Sequence, residues 1–200
     1  MAIPCPRCGR EYDVALFQFG RTISCTCGAR VGVEPRVRTV DAAGATGETR
    51  FIADVMLGSL ARWLRFLGFD CAYDRQIEDG DLVRRGIEEE RAVLTRDQRL
   101  PEEWWAPGIY LVQATQVQEQ LREVFQRFDL ARSMRPLTRC AECNHLIEPA
   151  TAAEVADQVP VRVLEFRDTF YQCQGCGRVY WEGTHTEGIR RTIEELLGES

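Results

Sequence analysis

Two kinds of residue in this chain have the type and spacing to do chemistry: cysteines in close pairs, and aspartates at the ends of apolar runs. Eight of the nine cysteines are paired, Cys5 with Cys8, Cys25 with Cys27, Cys140 with Cys143 and Cys173 with Cys176. In CPRCG (5–9) and CTCGA (25–29) each pair adjoins a glycine, which permits the turn that aims backbone N–H groups at the thiolates. Four thiolates on two short knuckles match a closed tetrahedral zinc site. Such a full shell has no place for water or substrate, so both expected zinc sites are structural. The second pair, C-x-C rather than C-x-x-C, departs from the usual spacing. CAEC (140–143) with CQGCG (173–177) keeps it. His145 and His185 are available as substitute ligands, but the cysteines already fill the shell. Cys71 stands alone in an apolar strand pattern and reads as a small core residue.

The aspartates are the other group. The run FIAD (51–54) stops on Asp54, a residue type seldom buried without a partner. Asp79 stands where a helix should start, Asp97 follows AVLT (92–95), and Asp81 is a fourth candidate. In an open α/β sheet, ligands gather at the carboxyl ends of the strands, where these positions would converge. Two carboxylates about 4 Å apart repel by roughly 4 kcal/mol at an effective dielectric of about 20. The set therefore calls for a metal, a proton or a basic neighbour, and hard oxygen ligands suit Mg²⁺ or Mn²⁺. Each position also has an ordinary reading, Asp79 as a helix N-cap and Asp97 as a turn residue. Nearby lie Arg62, Arg65, Arg96 and Arg99, which read either as a solvated face or as candidates for phosphate contact beside the acids, with Trp63 on the same helix as the first two. Leu57, Leu60, Ala61, Leu64 and Leu67 form that helix's apolar stripe, which leaves Arg62 and Arg65 on another face.

The elements that would position these residues follow from periodicity. RFIAD, CAYD, AVLT and GIYLVQA read as strands, while MLGSLARWLRFLG, DGDLVRRGIEEER and VQEQLREVFQRF read as helices. Strands alternating with helices predict a parallel, wound α/β sheet with flanking helices. On either side lie the cysteine modules. The expected division is residues 1–34 for an N-terminal zinc ribbon-like module and 35–49 for a Gly-, Ala- and Thr-rich linker. An α/β domain over 50–136 follows, then a C-terminal zinc ribbon and terminal helix over 137–200. In the last segment VPVRVLEF and FYQC read as strands, and Ile189, Ile193, Leu196 and Leu197 make one face of a closing helix.

Composition narrows the class. With 44% hydrophobic and 28% charged residues, the chain is that of a soluble globular protein. No apolar stretch approaches the roughly 20 residues that cross a bilayer, and MAIPCPRCGR lacks a secretory h-region. A cytoplasmic protein with no membrane partner is the expectation. All 25 Lys+Arg residues are arginine, which is compatible with codon bias and with a preference for forked phosphate contacts. The formal charge of −6 does not by itself indicate a nucleic-acid partner.

Three blocks in order, FIADVMLGSLARWLRFLGFDCAYD, AVLTRDQRL and CAEC…CQGCGRVYWEGTH, resemble the Mut-seven C-terminal RNase family, a branch of the PIN-like nucleases. The resemblance covers residues 50 to about 186. It implies a PIN-like nuclease domain followed by a zinc ribbon, and metal-dependent cleavage of RNA. By position it carries the acidic role to Asp54, Asp79 and Asp97, a secondary one to Asp81, and ribbon ligation to Cys140, Cys143, Cys173 and Cys176. After WEGTH the family usually has an aromatic residue, where this chain has Thr186. The N-terminal module lies outside the resemblance.

The reading is thus a cytoplasmic Mg²⁺- or Mn²⁺-dependent endoribonuclease with two structural zinc ions. Asp54, Asp79 and Asp97 hold the catalytic metal, and the ribbons grip RNA, the ribosome or another protein. The rival is a non-catalytic zinc-ribbon adaptor that binds RNA or the ribosome on a PIN-like scaffold.

Overall fold

The computed structural model describes residues 2–33, 49–106, 108–181, 192 and 194. The expected linker, all but its last residue, lies outside the described residues, as do Ile189, Ile193, Leu196, Leu197, His185 and Thr186. The chain forms two compact units, Met1–Gly58 with Ala72–Gln113, and Ser59–Cys71 with Ala114–Ser200.

The first unit opens with an antiparallel pair, β1 (Ala2–Pro4) and β2 (Glu11–Asp13). A kinked 3₁₀ segment, Val14–Gly20, follows, with the Asp13 carboxylate accepting from the Ala15 N–H at 2.9 Å. A second antiparallel pair, β3 (Thr22–Ser24) and β4 (Arg30–Gly32), completes the module. Its core is small: Cys5, Phe17, Cys25 and Val31, with Ile3, Tyr12 and Ile23 packed alongside. A core of that size needs a cross-link or a metal.

Next comes β5 (Phe51–Ala53), then a 3₁₀ turn at Val55–Leu57 and α1 (Gly58–Phe66). The alternation continues with β6 (Cys71–Tyr73), α2 (Asp79–Glu88), β7 (Ala92–Thr95), α3 (Leu100–Glu103) and β8 (Ile109–Leu111). The sheet has the order β6-β5-β7-β8. Strands β5, β7 and β8 are parallel, with Ile52 opposite Val93 and Leu94 opposite Tyr110. Every residue of β5 and β7 is buried, as in a parallel sheet covered on both faces. Leu82 and Val83 of α2 pack with Ile52, Val93, Leu100 and Trp104 in one core. Gly86 lets α2 approach the sheet, because a Cβ there would collide with the Val93 side chain. The expected α/β class, parallel sheet and strand–helix alternation hold.

In the second unit, α4 (Val117–Phe128) turns Leu121, Val124 and Phe125 inward and ends on Asp129 in the left-handed conformation. Phe125 meets Phe69 edge to face, with ring centroids 5.6 Å apart. The C-terminal module consists of β9 (Ile147–Ala150), α5 (Ala152–Val155), α6 (Val161–Phe166), β10 (Phe170–Cys173) and β11 (Val179–Trp181). Its antiparallel sheet has the order β11-β10-β9.

One local reading is corrected here. VPVRVLEF is not a strand: its VRVLEF portion is helical, with Pro160 before the first turn and its carbonyl accepting from Val163 and Leu164. Proline presets φ for a helix start, which outweighs the β preference of the valines. IEPA, by contrast, is a strand, paired along Phe170–Cys173. The Thr151–Glu154 capping box that starts α5 is a T-x-x-E signal present in the sequence.

Candidate metal centres

Each thiol quartet is gathered by a pair of turns. In the N-terminal module the sulfurs of Cys5 and Cys27 lie 3.6 Å apart and those of Cys8 and Cys25 3.5 Å apart. In the C-terminal module Cys140 and Cys176 are separated by 3.7 Å, and Cys143 and Cys173 by 3.2 Å. A tetrahedron with Zn–S near 2.3 Å has edges of about 3.8 Å, so both quartets fit zinc. Within each group all ligand atoms lie within 4.8 Å of one another. The C-x-C spacing of Cys25 and Cys27 does not prevent closure.

Hydrogen bonds prepare the sulfurs. At Cys173 the N–H groups of Gly175 and Cys176 point at the sulfur, at 3.3 and 3.5 Å. The Cys27 N–H and the Tyr12 hydroxyl hold the Cys25 thiol down at about 5. Burial alone would raise Cys140, but the Tyr180 hydroxyl and the Cys143 and Glu142 N–H groups bring it to about 6. Ligand deprotonation, which metal binding requires, is thus already favoured at Cys140 in one quartet and at Cys25 and Cys5 in the other, where the N–H groups of Arg7 and Cys8 lower Cys5 against burial.

The acidic set is built differently. Asp54 follows β5 directly; its N–H donates to the Leu94 carbonyl at 2.9 Å, which fixes it to β7. The residue is 5% exposed. Its side chain makes no cap to the 3₁₀ turn that follows. Instead Oδ2 accepts a 2.6 Å hydrogen bond from the hydroxyl of Thr95, the last residue of β7. The same hydroxyl accepts from the Asp97 N–H at 2.9 Å. Thr95 therefore ties two of the predicted acids together. Asp97 in turn accepts from the Arg99 N–H at 2.8 Å, a turn at the entry to α3.

Asp79 is the first residue of α2, one position inside the N-cap, which is Glu78. The simple capping reading of Asp79 is therefore not what the helix displays. Local desolvation raises the Asp79 carboxyl above its ordinary value, and the charges of Asp54, Asp97 and Glu103 raise it further against the opposing charge of Arg99. The charges of Asp54 and Asp97 thus both reach Asp79. Asp81 departs from them: it is exposed and bonded to Arg84 on its own helix at 2.8 Å. Glu103, which the sequence reading passed over, joins the field around Asp79 while pairing with Arg99 at 2.9 Å.

The four arginines separate. Arg65 is 4% exposed, and its guanidinium donates to the carbonyls of Cys71, Ala141 and Glu142 at 2.8, 3.2 and 2.7 Å. This corrects the expectation that Arg65 meets phosphate, since its donors are engaged inside the protein. Arg62 is exposed and pairs with Glu142 at 2.6 Å. Arg99 is exposed beside Asp97, and Arg96 is half-buried with no ion pair among the described residues.

Thr95 was legible in principle: like Asp54 it is a polar residue ending an apolar run, and hydroxyls at such places seek partners. No helix among the described residues is long and apolar enough to cross a membrane.

Comparison with curated proteins and with solved structures returned no match for this chain. Residues 49–193 match the Mut7-C RNAse domain, a span that holds the parallel sheet, all three candidate aspartates and the C-terminal thiol quartet. On that match, the chain belongs to the Mut7-C RNAse domain family.

Proposed function

We propose that the chain is a Mg²⁺- or Mn²⁺-dependent endoribonuclease whose metal is held by Asp54, Asp79 and Asp97. The observation that supports this reading is that Asp54 and Asp97, joined through Thr95 just after adjacent strands, both act on Asp79 at the start of α2. It is expressed as the raised pKa of Asp79, in a family defined by an RNase domain. Hard carboxylate oxygens suit a small divalent ion. When bound, that ion supplies an activated water and charge compensation for phosphodiester cleavage.

The chain's own residues do the rest. Buried Asp54 is the fixed member, since the sheet holds its backbone and Thr95 its Oδ2, leaving Oδ1 for a ligand. Exposed Asp79 is the member that RNA approaches from solvent. Arg96 and Arg99 position the backbone through phosphate contact, and Arg62, in the other unit, is a separate phosphate contact. The zinc modules bind RNA or a partner such as the ribosome, in a cytoplasmic setting.

Cleavage of a labelled RNA with and without EDTA and added Mn²⁺, for the parent and Asp54→Asn, tests this. The expected result is Mn²⁺-dependent internal cleavage that falls on the order of 10²-fold or more in the variant, since several kcal/mol of charge stabilisation are at stake. Undiminished cleavage in EDTA removes the metal from the reading. RNA binding without cleavage under any metal replaces it with the adaptor.

A further inference from the structure

The N-terminal module precedes the family match at residue 49, yet its polar side chains are directed at the segment that follows Asp97. Helix α3 has four residues, far below the roughly 12–15 at which a helix becomes marginally stable alone. Its last carbonyls have no partner within the helix. The N-terminal module supplies those partners. Thr22, 6% exposed, donates its hydroxyl to the carbonyls of Glu102 and Glu103, each at 2.9 Å. Arg30 donates to the Pro101 carbonyl at 3.0 Å and to Thr22 Oγ1 at 2.8 Å. Its guanidinium also lies 5.0 Å from the Trp105 ring centroid.

Backbone contacts extend the grip past the helix. The Trp105 N–H donates to the Gly20 carbonyl at 2.6 Å, and Arg21 bridges Trp104 in antiparallel fashion. Gly20 is needed for this approach, because a Cβ there would sit 2.6 Å from the Trp105 carbonyl oxygen. Trp104 then carries the contact toward α2, the helix that Asp79 opens. Its buried ring lies beside Gly80, next to Asp79, at the ordinary contact distance of 3.6 Å from a Cβ placed there. Asp97 sits in the turn that leads into α3, and Asp79 opens α2, so both acids adjoin residues the module holds.

We propose that Thr22 and Arg30 are positioning residues for the acidic site: the N-terminal zinc module orders α3 and Trp104, and thereby sets the site's affinity for a divalent ion. This rests on the reading of Asp54, Asp79 and Asp97 as ligands. The two metal sites are then coupled, and by linkage the coupling is reciprocal.

The test uses the full chain loaded with zinc, and the variants Thr22→Val with Arg30→Met, Thr22→Ser, and Asp97→Asn. Mn²⁺ binding is read from the free-ion EPR signal, α3 order from amide exchange at Glu102, Glu103 and Trp104, and zinc by elemental analysis. The double variant should keep two zinc ions, exchange those amides at least about tenfold faster, and bind Mn²⁺ roughly fivefold or more weakly. Thr22→Ser keeps the hydroxyl and should match the parent. If the parent binds Mn²⁺, Asp97→Asn loses it, and the double variant binds as the parent does, the positioning role is overturned. If the parent binds no Mn²⁺, or Asp97→Asn binds it unchanged, the acidic-site reading fails and takes the coupling with it. Unchanged amide exchange would then show separately that the module does not order α3.

Discussion

The sulfurs of each cysteine quartet all lie within 4.8 Å of one another, whereas Asp54, Asp79 and Asp97 form no such group among the described residues. Charge explains the difference. A thiol can sit beside a thiolate because it can stay protonated: Cys27, despite the Ala29 N–H, is pushed up to about 12 by burial and its neighbouring sulfurs. Carboxylates at neutral pH have no such outlet short of a raised pKa, and at about 4 Å they repel by roughly 4 kcal/mol. The acids therefore stand apart, each fixed by its own element. The thiol quartets are closed by the fold; the acids are kept separate by it, and the proposed reading places a cation between them.

That contrast predicts where damage spreads. Cys173→Ser should reduce the zinc content from two ions to one and unfold the β11-β10-β9 sheet. Structural zinc contributes on the order of 10 kcal/mol or more in small modules. Amide exchange should show β5 and β7 still protected. Two zinc ions retained in the variant would remove the quartet from the folding argument.

Each kind of site also has one buried anchor, and the next effect in size belongs to the thiols. Arg65 donates to the carbonyls of Ala141 and Glu142, inside the Cys140–Cys143 knuckle. Arg65→Met leaves three carbonyls, two of them buried, without their donor and should cost about 2–4 kcal/mol in denaturant unfolding, with faster zinc loss to a chelator. Arg62→Ala removes an exposed pair and should cost no more than about 1 kcal/mol. Equal effects would return Arg65 to the surface role expected of it.

That arginine also marks the limit of what the sequence discloses. Cysteine spacing and strand alternation are local patterns, so both quartets and the sheet could be read in advance. Helical periodicity put Arg65 opposite the leucines, but it sits beside Leu64 and is buried by a knuckle some 76 residues away in the chain. Long-range partners of this kind leave no periodic trace. The same holds for Thr22 and Arg30, whose acceptors are the carbonyls of α3, groups every residue possesses. VRVLEF was misread for a local reason: the helix-starting proline was present, but the valines suggested a strand.

The acids' anchor is Thr95. Thr95→Val keeps the shape and removes the hydroxyl shared by Asp54 Oδ2 and the Asp97 N–H. The expected cost is about 1–3 kcal/mol of stability, with Mn²⁺ binding weakened about tenfold. Thr95→Ser should restore both, because it restores the donor. A valine variant that binds Mn²⁺ like the parent would mean Asp54 needs no such support.

The smallest expected effect is the most direct test of stored repulsion. The folded-state pKa of Asp79 lies above the ordinary value of 3.8, through desolvation first and then the charges of Asp54, Asp97 and Glu103. The native state therefore binds this proton more tightly than the unfolded chain does. Stability contributed through Asp79 falls as pH rises from the unfolded value through the raised native one, and above that window the ionised carboxylate is a net cost. Without Mn²⁺, Asp79→Asn should match the parent near pH 3 and become relatively more stable as pH climbs through the window. The gain should stay below about 1 kcal/mol, because the residue is exposed and screened by solvent. Added salt should shrink it. A favourable interaction of about 0.3–1 kcal/mol with the N-terminus of α2 acts in the opposite sense, so the direction of the pH trend reports which of the two prevails. Mn²⁺ should reverse the ranking, stabilising the parent by mass action and the variant less. Thermal unfolding from pH 3 to 8, with the Asp79 carboxyl followed by NMR, separates the cases. A native pKa at or below the ordinary value, with the variant less stable at pH 7, would make Asp79 a helix-terminus charge and leave the acidic set without its third member.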